Sequence, residues 1–170
     1  MTHTPNRNDR VDRAIEQWRE TWPELETDAF GVVGRIMLIS RHLEARGTDT
    51  LRDFDLPTGE FDVLATLRRK GAPYALSMSE LCRDVILTSG GMTHRIDRLV
   101  KRGLVTRAHD PDDRRSVIVT LTERGRGIVE CALLDKVHTA VEQLGPLSGE
   151  ESRLLQDLLR RLLLHLEPDD

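Results

Sequence analysis

Residues Ser77–Gly125 read SMSELCRDVILTSGGMTHRIDRLVKRGLVTRAHDPDDRRSVIVTLTERG, and the order of signals inside them decides the fold. Ser77 followed three residues later by Glu80 has the spacing of a capping box, so a helix is predicted to open there and carry Leu81 and Cys82. Asp84 to Leu87 interrupts the helical period. Thr88 or Ser89 offers a cap for a second helix, in which Met92, Ile96, Leu99 and Val100 fall at helical spacing. Gly103 stands where a left-handed C-terminal cap is wanted. Beyond it, Leu104-Val105-Thr106 and Val117-Ile118-Val119 have the β-branched, apolar composition of strands. The linking segment Asp110-Pro111-Asp112-Asp113-Arg114-Arg115 favours a turn.

Helix, turn, helix and a two-stranded hairpin in that order are the layout of a winged helix-turn-helix, which places its second helix in the DNA major groove. From Arg95 to Arg107 there are five basic residues (Arg95, Arg98, Lys101, Arg102, Arg107) against one acid, Asp97, a local balance of +4 that suits a phosphate backbone. The expected DNA-binding residues follow. Ser89 and Gly90 open the reading helix, where small residues let backbone approach DNA. Thr93, His94 and Arg98 stand on its outward face. Arg114 and Arg115 tip the wing, in reach of a minor groove whose negative potential favours arginine. A plainer reading has Asp113 and Arg115 pairing to stiffen a surface loop, and the two readings are compatible.

The rest of the chain reads as helix. Val11 to Trp22 is predicted helical and ends at Pro23. Asp28 caps a longer helix carrying Val32, Val33, Ile36, Leu38, Ile39 and Leu43 towards Gly47. Thr58 opens a third, with Phe61, Leu64 and Leu67, that stops at Gly71. After the wing, Thr122 opens a helix to about Gly145, and Ser148 with Glu151 forms another capping box ahead of a Leu-rich helix. That last helix is apolar on too wide a face for a lone surface helix, so packing against a second subunit is expected. The fold class is therefore mainly α with a small β-wing: one domain over residues 1–170, with a winged helix-turn-helix lobe at 58–122 and dimerisation helices at 11–47 and 124–166.

The 170 residues carry a net charge of −4, so the whole chain is no polycation and DNA binding must come from a local basic face. No apolar run reaches membrane-spanning length, and two cysteines outside any CxxC pattern suit a reduced, cytoplasmic protein with no membrane partner. Cys82 reads as a small core residue. The six histidines share no metal-ligand spacing, and no nucleophile-base set or Gly-rich phosphate loop is present. An enzyme is not indicated, and neither a metal nor a cofactor is called for.

The run Leu99-Val100-Lys101-Arg102-Gly103-Leu104-Val105, then Asp110–Arg115, then Leu121-Thr122-Glu123-Arg124-Gly125, resembles the MarR family of bacterial transcription regulators over nearly the whole chain. The resemblance implies a homodimer that binds a pseudo-palindromic double-stranded operator, in most cases as a repressor, and releases it when a small anionic or phenolic ligand binds. A finer resemblance is to the urate-responsive, PecS-like branch, which has an extra N-terminal helix bearing a tryptophan. In that branch a tryptophan, an aspartate and two arginines hold the ligand, and the matching positions are Trp18, Asp62, Arg95 and Arg107. Trp22 lies four residues from Trp18 on the same predicted helix face, leaving the register of the tryptophan open. The implied effector is urate, a purine relative or a tricarboxylate. The alternative is a regulator of the same family with no effector, or one switched by thiol oxidation. The plain reading makes Trp18 and Trp22 core tryptophans, Asp62 a paired surface carboxylate, and Arg95 and Arg107 contacts to phosphates.

Overall fold

The computed structural model describes residues 8–86, 91–111, 113 and 116–167. They form seven α-helices and a three-stranded antiparallel sheet, in two compact units that meet in the chain between Arg46 and Gly47.

In the first unit, α1 (Arg10–Thr21) opens with a capping box in which Asp9 and Asp12 satisfy each other's backbone N–H groups. Val11 and Ile15 are buried where α2 (Asp28–Leu51) carries glycines: a Cβ at Gly34 would sit 3.3 Å from Val11, and one at Gly31 would sit 3.6 Å from Ile15. Arg35 fastens the pair by donating to Asp9 (2.9 Å) and Asp12 (2.5 Å). Asp28 is the first residue of α2 rather than its cap, and Gly47 does not end it. A glycine alone is a weak stop. The helix continues until Leu51 reaches the core, passes through a 3-10 turn at Arg52–Phe54, and stops at Asp55, whose φ is 49°.

The second unit is the winged helix-turn-helix. α3 (Thr58–Arg69) is followed by β1 (Ala75–Ser77), α4 (Met78–Asp84), α5 (Met92–Lys101), β2 (Val105–His109), β3 (Val117–Leu121), α6 (Glu123–Gln143) and α7 (Gly149–Leu166). β3 is the central strand, pairing Leu76 with Val119 on one side and Arg107 with Val119 on the other. Val63, Leu64 and Leu67 of α3 pack with Leu81, Ile96, Leu99, Val119 and Val129 into one core. The strand β1 was not predicted: three residues are too few for a period, and they run straight into the Ser77 cap.

The end of the reading helix and the start of α6 are locked together. Gly103, at φ 66°, closes α5 by donating to Val100 while Leu104 donates to Leu99. Thr122 then donates to the Gly103 and Leu104 carbonyls (2.8 and 3.0 Å) and accepts from the Gly125 N–H (3.0 Å). A Cβ on Gly125 would overlap the Leu104 carbonyl, so α6 can start this close to β2 only with glycine there.

Candidate functional site

The reading helix is built as its sequence pattern requires. Met92, Ile96 and Leu99 are buried, and Thr93, His94 and Arg98 are exposed on the other side. Its described start differs from the expected cap: Gly91, in a left-handed conformation, holds the N-cap position without a side-chain hydrogen bond. Thr88, Ser89 and Gly90 lie outside the described residues, as do Arg114 and Arg115. The base of the wing is closed by the Asp110 N–H donating to Ser116 and the Ser116 N–H donating to Asp113.

The preceding helix α4 has the expected capping box, with Ser77 and Glu80 bonded in both directions. Cys82 is exposed, correcting its assignment to the core; the buried position of that short helix is Leu81. At the C-terminus of α4, Asp84 ties back to the end of α3, its carboxylate accepting Lys70 at 2.6 Å and its carbonyl accepting Arg69, while Arg83 of α4 itself lies at 3.0 Å from the carboxylate.

One residue that the sequence reading missed organises the basic stretch. Glu60 of α3 is only 2% exposed, and its carboxylate takes Arg98 Nε at 2.5 Å on one oxygen and Arg102 at 3.0 Å on the other. Arg102 also donates to the carbonyls of Asp55 and Phe54. Burying a carboxylate is tolerable only with such charged donors. The signal was present: Glu60 falls at helical spacing with Leu56, Val63, Leu64 and Leu67, a carboxylate on an otherwise apolar face. The +4 counted along the chain is thus partly answered from another helix.

Of the residues implied for a ligand, Asp62 is 6% exposed and so is no surface carboxylate. Arg95 lies across the start of α3, close enough that a Cβ on Gly59 would sit 2.6 Å from its Nε. Gly59 and Asp62 are three residues apart on α3 and so share a face. The reading helix therefore lays a guanidinium beside the turn that carries the buried carboxylate. Arg107, on β2, pairs with Asp97 of α5 at 3.2 Å. Trp18 belongs to the first unit, on α1, and is 44% exposed; Trp22 is exposed as well, so neither is a core anchor.

A capped α4, an amphipathic basic α5 and a hairpin wing around one core define a winged helix-turn-helix. The MarR family profile matches residues 56–117. The HTH-type transcriptional regulator PecS of Dickeya dadantii is 34% identical over 156 residues, 92% of this chain and 94% of its own length. Among solved structures, a mutant MarR from E. coli complexed with operator DNA aligns at TM-score 0.68 and 27% identity, over 86% of this chain and 97% of that one. Bordetella bronchiseptica BpsR, whose DNA binding is regulated by 6-hydroxynicotinic acid, aligns at TM-score 0.62 and 29% identity, over 75% and 98%. The chain belongs to the MarR family of transcription regulators, on its PecS-like side. No helix among the described residues is long and apolar enough to cross a membrane.

Proposed function

We propose that the protein is a homodimeric, cytoplasmic repressor that leaves a pseudo-palindromic operator when a small anion binds at Asp62 and Arg95, with Arg107 completing the set. The observation that carries the ligand half is the placement of Arg95. An arginine of the DNA-reading helix lies on α3 one turn from a buried carboxylate, so an anion that recruits its fork of donors acts on the reading helix directly.

The dimer half is supported by apolar side chains left in solvent. No residue of α7 is buried, and Leu154, Leu155, Leu158, Leu159, Leu162 and Leu163 are all exposed. Contiguous apolar surface of this kind is covered in stable proteins, and a two-fold axis covers it with the same surface. In the DNA complex, Ser89, Gly90, Thr93, His94 and Arg98 meet the major groove while Arg114 and Arg115 meet the minor groove. Exposure of Cys82 and Cys131 favours thiol oxidation as the second reading. Sedimentation with a selected operator duplex tests the proposal: two chains per duplex are expected, and release on adding urate, xanthine, citrate or aconitate. Release by peroxide alone supports the thiol reading instead.

A further inference from the structure

Lys136 is set into the protein more deeply than its helix suggests. Its neighbours on α6, Asp135 and Val137, are exposed, yet Lys136 is half-buried. Its ammonium stands 5.1 Å from the centre of the Phe61 ring, and a Cβ on Gly47 would sit 2.9 Å from its Nζ. The notch it fills exists because Gly47 has no side chain. A lysine on an exposed helix ordinarily runs its stem along the surface and leaves its head in water. Here the head turns inward onto the face of a buried ring. Burial pushes the Lys136 ammonium pKa down, and the charge of Asp62 opposes that shift, which places Asp62 within its electrostatic reach.

Two cations from different elements thus reach the first turns of α3, on either side of Asp62. Arg95 arrives from α5 across Gly59, and Lys136 arrives from α6 across Phe61. The buried carboxylate of Asp62 adjoins Phe61 and lies one turn from Gly59. Arg107, the second cation that the sequence implied, is engaged with Asp97. Resting on the ligand reading above, we infer that Lys136 is a further ligand-binding residue: its ammonium and the Arg95 guanidinium hold two oxygens of the small anion, and Asp62 accepts from the ligand's N–H or O–H. A partly dehydrated ammonium gives up less water to an incoming anion than a surface lysine does, so its contact is worth more. The site then spans the reading helix and α6.

Calorimetric titration of the full-length protein with urate, xanthine, citrate and aconitate tests the assignment on wild type, Lys136→Met and Lys136→Arg. Methionine keeps the stem against Phe61 and removes the charge. For any anion the wild type binds, Lys136→Met should weaken binding by at least about tenfold, the loss of a charged hydrogen bond. Lys136→Arg should recover most of it, with operator affinity and melting temperature unchanged in both. Unaltered binding in Lys136→Met overturns the assignment and leaves the Asp62–Arg95 site standing. Loss in both variants together with a lower melting temperature makes Lys136 structural and overturns it too. Wild-type protein that binds operator but none of the four anions overturns the ligand reading and Lys136 with it.

Discussion

On the proposed function, Glu60 ties stability to DNA binding through Arg98. Its carboxylate is buried, but the arginines it holds are unequal: Arg98 is 56% exposed and Arg102 is 29%. Removing Arg102 leaves more of the carboxylate's solvation unmet, and also strips the Phe54 and Asp55 carbonyls of a donor. Arg102→Met should therefore cost about 2–3 kcal/mol in urea unfolding, and Arg98→Met clearly less. Arg98→Met should instead weaken operator binding and lower its salt dependence. Asp84 gives a pH test. Lys70, then Arg83, hold its carboxyl below the ordinary value of 3.8. A folded-state pKa below the unfolded one contributes stability that is complete above the unfolded value and is lost as pH falls through the folded value. Asp84→Asn should remove that contribution, so stability should fall less steeply on acidification below about pH 4, as read by unfolding curves at a series of pH values.

At the scale of the element, most of the fold was legible because caps and periods sit in the sequence. The Ser77–Glu80 and Ser148–Glu151 boxes and the Thr122 cap mark helix starts that the structure reproduces, and Gly71 and Gly103 stand at the predicted ends with positive φ. Gly47 misled because a glycine stops a helix only when the chain beyond it turns, and here Leu51 is drawn on into the core. The candidate site was less legible. Glu60 and Lys136 acquire meaning only from residues 38 and 75 positions away in sequence, Arg98 and Phe61. No local spacing records such a pairing. Two glycines on α6 give a paired test. A Cβ at Gly125 would overlap Leu104, whereas one at Gly127 meets nothing within 4 Å. Gly125→Ala should destabilise by roughly 1–3 kcal/mol, and Gly127→Ala should stabilise by roughly 0.5–1 kcal/mol. Thermal melts of the two variants should move in opposite directions.

For the whole molecule, assembly should come first and switching second. Leu158→Glu with Leu162→Glu should yield a monomer in sedimentation at micromolar concentration and abolish specific operator binding, because two reading helices are needed for half-sites about one turn (~10 bp) apart. In the proposed switch, ligand and operator compete through the placement of the reading helix, and such coupling must be reciprocal. Its most direct measurement is operator affinity, by fluorescence anisotropy on a selected duplex, with and without each of the four anions, for wild type and Asp62→Asn. At least one anion should weaken wild-type binding by about 5- to 150-fold, operator should weaken binding of that anion by the same factor, and Asp62→Asn should keep operator affinity but lose the response. Operator affinity that is the same with every anion and without, in wild type as in Asp62→Asn, would contradict the proposed switch.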